Sequence, residues 1–431
     1  GNVAVGESAL QKNTTGTRNT AIGSCALCNA TTVAHNTAVG ACALRNTTIG
    51  CNTAVGSCAL DTNTTGADNT AVGAFAMDAN TEGGCNTAVG KTSLGSNTTG
   101  GENTAVGQKA LFNNTTCSGN TAIGSQAMCG NGTISGANNT SVGALALRCI
   151  TSGAENTAVG YYAGLKNSTA SGNSFFGVCA GYLTTTGVTN VAIGGNSFDA
   201  NTTGGCNVSV GAGSLGANTT ASNNTAVGYE ALNANTTGCQ NAGLGQRALQ
   251  DNTTGCRNVA LGLDSLANNT SGVCNTGVGF DAGSTITTGS NLTVLGNGAQ
   301  ASSATATNEI TLGDANVTSL RCADTSISTL SDLRDKTNVE DIPHGLDYIL
   351  ALRPVKFDWN ARDGSRVGKK DYGFIAQELD QVEQDFNSAE YTRLVHKDNP
   401  EKWEADPMKT YPILIKAIKE LTARVKELED E

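Results

Sequence analysis

Ser331 and Lys336 stand five residues apart in the run Ser331-Asp332-Leu333-Arg334-Asp335-Lys336. A serine next to a lysine can cut a peptide bond without a histidine, provided the amine is neutral and can take the hydroxyl proton. The carbonyl nearest to Ser331 Oγ is that of the preceding residue, Leu330. Attack there gives an ester by acyl shift, which water then hydrolyses. The event happens once per chain. An ordinary lysine titrates near about 10.4, so the amine must be desolvated before it can serve as the base. We expect closure of a trimer to supply that burial. The spacing also has a plainer reading, in which Ser-Asp caps a short helix and Asp332 or Asp335 sits near its positive end. His344 and His396 are far apart in sequence and read as surface residues. Gln377 and Glu378 orient the pair or brace the domain and are not assigned to catalysis. Trp359 reads as core.

The pair lies where the composition changes abruptly. All five prolines and both tryptophans follow Ser331, whereas all 15 cysteines and 50 of the 54 glycines precede it. Charged residues number 25 in the first 330 positions and 38 in the last 101. The net charge of −11 divides into −5 before Ser331 and −6 after it. With no basic stripe and only 4% aromatics, nucleic-acid binding has little support. No apolar run approaches the roughly 18–20 residues a membrane span needs. Gly1 falls inside a repeat, which points to further sequence before it, including a region that attaches the protein to a larger particle.

An internal period organises the first part. Asn-Thr-Ala-Val-Gly or a close variant starts at Asn2 and returns 16 times, the last at Asn275. The spacing is 17 residues, except for one unit a residue short (Asn36 to Asn52) and one two residues long (Asn120 to Asn139). The unit reads NTAVGxxALxxNTTGxx and predicts two short extended pieces joined at glycine corners. Helix is disfavoured, because glycine costs nearly 1 kcal/mol at each site. One unit cannot bury a core, but stacked units can, each coil covering the last. A parallel β-roll or β-solenoid shaft is therefore expected over residues 1–283. Its small inward residues favour association of three chains. Residues 284–330 follow with two compatible readings, a closing cap for the solenoid and a receptor-contacting tip.

Repetition stacks like residues. Asparagines at unit positions 1 and 12 are expected to form amide ladders, although each Asn-Thr-Thr is also a glycosylation sequon. Thr-rich rungs leave an ice-binding face open as a further reading. Cys25, Cys42 and Cys58 share one unit position, as do Cys239 and Cys256 at another. The total is odd, and Cys25-Ala26-Leu27-Cys28 stands alone without a second such pair or histidine partners for zinc, so most thiols are expected to be small buried residues, with cross-linking still open. No metal and no cofactor are implied.

Residues 331–431 read as a small α+β domain. Helices are expected over 345–352 and 374–386, with an extended piece over 355–359. From Tyr411 onward Leu414, Ile418, Leu421, Val425 and Leu428 follow a four-three spacing, the pattern of a coiled-coil seam. Lys416, Lys419, Glu420, Arg424 and Glu427 read as its solvated flank.

Three separated blocks resemble the intramolecular chaperone domain that ends endosialidases and many phage tail fibres. They are Ser331-Asp332 with Lys336, Ala351-Leu352-Arg353-Pro354-Val355-Lys356-Phe357-Asp358-Trp359, and Gly373-Phe374-Ile375-Ala376-Gln377-Glu378-Leu379, completed by the terminal heptads. The shaft unit resembles head repeats of trimeric bacterial adhesins and shaft repeats of tail fibres. The chaperone resemblance implies a homotrimer, assistance to the folding of the upstream fibre, and scission between Leu330 and Ser331 by Ser331 and Lys336. The function implied is that of a viral tail fibre, assembled in the host cytoplasm, joined to the virion tail or baseplate through its N-terminal side, and binding a glycan or protein receptor on the host surface. An extracellular adhesin or filament with the same chaperone is the alternative. A glycan-degrading tailspike fits less well, because paired carboxylates with general acid–base spacing are not evident.

Overall fold

The computed structural model describes residues 1–317, 319–321, 331–360, 367–397 and 403–430. The chain divides into two compact units, Gly1–Thr311 and Leu312–Glu431.

The first unit is a single-sheet solenoid. Its 19 strands, from β1 (Val3–Val5) to β19 (Ile310–Leu312), are each three residues long and lie in one sheet. Successive coils pair in parallel with like residues aligned, as in Thr104↔Thr121, Ala105↔Ala122 and Val106↔Ile123. Within a strand the middle residue points inward and its neighbours outward, the period-2 alternation of extended backbone. Ala105 is therefore fully buried while Thr104 and Val106 are partly exposed.

One expectation needs correcting: each coil holds one strand, not two extended pieces. The segment after the strand winds through left-handed residues, as at Lys109 (φ 56°) and Leu111 (φ 52°). Alternating left-handed residues bend that return segment at every other position, so it does not run straight as a second strand. Left-handed backbone costs an ordinary residue roughly 1–2 kcal/mol. Complete burial of Leu111 and its hydrogen bond from N–H to Ala127 O (3.0 Å) offset that cost. Glycine is required where the strand ends. Gly124 has φ 134°, and a Cβ there would lie 2.6 Å from the backbone of Gly143 in the next coil.

The core is a stack of small side chains (Ala105, Ala110 and Leu111 in one coil) repeated along the unit. Beside it run the two amide ladders. Asn103 N–H donates to Asn86 Oδ1 (2.9 Å), Asn120 N–H donates to Asn103 Oδ1 (3.0 Å), and Asn103 Nδ2 donates to Cys117 O (2.9 Å). In the second ladder Asn97 Nδ2 donates to Asn80 Oδ1 (2.7 Å) and Asn114 Nδ2 to Asn97 Oδ1 (2.9 Å). The sequon asparagines Asn63, Asn97 and Asn114 are fully buried, which closes them to glycan attachment in the folded shaft. Both irregular units keep the strands aligned, with Thr37↔Thr53 and Thr121↔Thr140 in register. The two extra residues of the longer unit are absorbed near Ile134, which is buried and bridges to Asn114.

The thiols depart from expectation. Only Cys28 and Cys149 are buried among the 14 described, and Cys51, Cys85, Cys206 and Cys274 are exposed. Most occupy coil corners rather than the inward columns, so they do not act as core substitutes for alanine.

The second unit contains α1 (Leu346–Ala351), β20 (Val355–Asp358), β21 (Lys370–Gly373), α2 (Ala376–Asp385), α3 (Ala389–Thr392), β22 (Val395–His396), β23 (Glu404–Ala405) and α4 (Tyr411–Glu429). β20 and β21 form an antiparallel pair, as do β22 and β23. Tyr348, Leu379, Val382, Leu394 and Ile413 make a small core. Trp359 lies outside it, half-buried and edge-on to Phe357 at 5.2 Å, because it follows a two-stranded hairpin rather than a covered sheet.

Candidate self-cleavage site

Sequence places Ser331 and Lys336 five residues apart, and a single tight turn brings their side chains together. Leu333–Asp335 forms a 3-10 turn whose N-cap is Asp332. The Asp332 carboxylate accepts from Arg334 N–H (2.9 Å) and from Arg334 Nε (3.0 Å). Lys336 N–H closes the turn on Leu333 O at 3.2 Å. Lys336 Nζ then donates to Ser331 Oγ at 2.7 Å. The capping reading of this run is seen directly, and the turn that Asp332 caps is the one that brings the two side chains into contact.

Arg334 is the residue that sequence reasoning passed over. Its guanidinium locks the Asp332 carboxylate and holds it below the usual carboxylate range through direct hydrogen bonds. An arginine two residues after a capping aspartate was the available signal. Ser331 and Lys336 are both exposed, so among the described residues none supplies the desolvation that the expected chemistry requires. Leu330, on the other side of the bond in question, lies outside the described residues.

The remaining blocks assemble beside one another. Arg353, after α1, grips Glu378 on α2, with Arg353 Nε donating to Glu378 Oε2 at 2.9 Å. This pairing, chiefly the hydrogen bond from Arg353, holds the Glu378 carboxyl below its ordinary range. Glu378 is accordingly a brace. Gln377 is exposed, His396 lies exposed on β22, and His344 packs edge-on to Phe386 at 5.0 Å. A small pocket between Leu352, Arg353, Phe374, Ile375 and Glu378 separates α1 from α2.

Helix α4 has two apolar faces. Ile413 and Ala417 are buried against the rest of the unit. Leu414, Ile418, Leu421, Val425 and Leu428, the heptad positions, are 41–72% exposed and uncovered. Glu420 is not a free flank residue as expected. Its carboxylate accepts from Leu346 N–H at 2.7 Å and so caps α1, because the Ile413–Ala417 face carries it over that helix start. Gly345 leaves room for the cap, since a Cβ there would meet the Glu420 carboxylate at 2.4 Å.

Residues 331–389 match the family described as chaperone of endosialidase. The matched stretch begins at Ser331 and ends before β22, so α4 lies beyond it. No curated protein and no solved structure matches the chain. A repetitive parallel β-solenoid followed by an endosialidase-type chaperone segment fits a tail fibre or adhesin.

Proposed function

We propose that this chain is a homotrimeric viral tail fibre for attachment to a host surface, whose C-terminal domain drives assembly and is then released by cutting the bond between Leu330 and Ser331. The observation that carries the reading is the 2.7 Å contact between Lys336 Nζ and Ser331 Oγ at the first residue of the chaperone match. As drawn, the ammonium donates to the hydroxyl. Catalysis uses the neutral amine, with Ser331 O–H donating instead.

Oγ then attacks the Leu330 carbonyl carbon as Lys336 takes its proton. The C–N bond breaks and the Ser331 nitrogen leaves as an amine, protonated by Lys336. The resulting ester is hydrolysed by water, giving a new carboxylate on Leu330 and restoring the hydroxyl. The solenoid remains as the lasting product, with host contact assigned to its distal end, residues 284–330. The exposed α4 seam supports self-association, since five heptad side chains without a cover favour helix–helix packing.

Expression of the full chain as wild type, Ser331→Ala and Lys336→Met tests the reading. Wild type should yield two fragments by intact mass, the smaller starting at Ser331, while both variants stay whole. A wild-type trimer that remains intact would overturn the cleavage claim. Binding of labelled, matured fibre to cells, competed by isolated surface glycan or protein, tests attachment.

A further inference from the structure

We infer that the outer face of the shaft sheet is the surface along which copies of this chain pack side by side, three around a common axis. The inference deepens the trimeric reading above and rests on it. The face is built from the first and third residues of each strand, such as Thr104 and Val106.

The third residue is apolar in all 19 strands, from Val5 to Leu312. Its identity changes among Val, Ile, Leu and Phe, but its polarity never does. No strand residue anywhere in the sheet is charged. The corner that follows each strand behaves differently and carries Glu7, Lys91, Lys109, Glu230, Arg247 and Asp264. Both regions are accessible in the isolated chain, so access to solvent alone does not account for the contrast.

Val5, Val72, Phe176 and Leu261 on the face are 58%, 37%, 39% and 49% exposed. A column of 19 such side chains presents on the order of 1,000 Å² of apolar surface. That exceeds the few hundred Å² that monomers leave open, and it reaches the roughly 800 Å² each partner gives to a stable interface. The occupant must match a rung repeat of about 4.8 Å over the whole face. A parallel copy of the same solenoid has that repeat by construction. The irregular units do not interrupt it, because their strands stay in register. Three residues of strand make a face only about 10 Å wide, a shape that suits a wedge meeting two others at an axis.

The test uses the full chain with the photo-crosslinking residue p-benzoylphenylalanine at Val106, and separately at the corner residue Lys109. A second set at Val227 and Glu230 keeps the test valid should one substitution disturb folding, which circular dichroism checks. Light scattering first establishes the number of chains per particle. The Val106 and Val227 probes should give covalent dimers and trimers, at least tenfold more than the corner probes. Three-chain particles without this preference would overturn the inference while leaving the trimer standing. A monomer would overturn both, and ice shaping by that monomer would assign the face to ice instead.

Discussion

Lys336 Nζ lies 2.7 Å from Ser331 Oγ, yet both side chains are open to water. In the proposed reaction the base is thus in contact with the nucleophile before any cover excludes water. We predict that assembly provides the activation by covering the turn. Leu421→Asp with Val425→Asp places two charges on the exposed α4 seam and should give monomers that cut at least 10-fold more slowly. Cutting at the normal rate in those monomers, followed by gel densitometry, would show that assembly does not gate the reaction. Asp332→Ala removes the cap and the Arg334 clamp together and should slow cutting without preventing trimer formation.

The amide ladder sets the stability of the shaft. Asn103 accepts from Asn120 N–H and donates to Cys117 O, and both asparagines are buried. Asn103→Ala leaves the buried Asn120 N–H without its acceptor, while Cys117 O keeps its bond from Asn114 Nδ2, a loss of about 1–3 kcal/mol. Asn103→Asp keeps an acceptor for Asn120 but turns a donor into a charged oxygen facing Cys117 O. It should be at least as damaging at neutral pH and milder in acid, where the carboxyl regains a proton. Thermal unfolding of the two variants at two pH values checks the order.

Periodicity made the shaft legible because a coil that stacks on itself must repeat its chemistry at each rung. The strand at Thr104–Val106, the buried Ala105 and the asparagine ladders all follow from that constraint. The left-handed turns at Lys109 and Leu111 did not, since nothing about lysine or leucine favours positive φ. Their conformation is imposed by closing the coil, a tertiary demand that overrides local preference. The same division holds in the second unit. Helix α4 is visible from its heptads, whereas the Glu420 cap on Leu346 depends on a contact spanning 74 residues. Ser331 and Lys336 were legible because one turn joins them, and Arg334 was missed because its role runs through Asp332.

One acid in the shaft carries a pH signature. Burial pushes the Asp78 carboxyl up from its ordinary value, and the neighbouring Asp61 adds to the shift. An acid whose folded value is raised binds its proton more tightly in the native state. Its contribution therefore favours folding below the ordinary carboxylate value and is lost as pH rises through the raised folded value. Asp78→Asn should raise the melting temperature at pH 7 and make little difference near pH 3. Because the site is partly open to solvent, the gain at pH 7 is expected to be no more than about 1 kcal/mol. Equal shifts at both pH values would show that charge is not the cause.

Cys239 and Cys256 occupy the same place in successive coils, with Sγ atoms 3.1 Å apart. In-register parallel rungs separate the Cα atoms by about 4.8 Å, inside the range a disulfide spans. Oxidation by a small disulfide such as oxidised glutathione balances as two thiols becoming one disulfide while the oxidant yields two thiols. The Cys256 sulfur, with burial, holds the Cys239 thiol above its ordinary value, so closure should be slow at neutral pH and faster in mild alkali. Closing a 17-residue span contributes about 3 kcal/mol in the chain-entropy view, so the oxidised shaft should unfold at higher denaturant. Peptide mapping of oxidised protein should find a Cys239–Cys256 link, absent in Cys256→Ser, with the added stability reversed by reductant. Mapping that shows both thiols free after prolonged oxidation at alkaline pH would rule the link out.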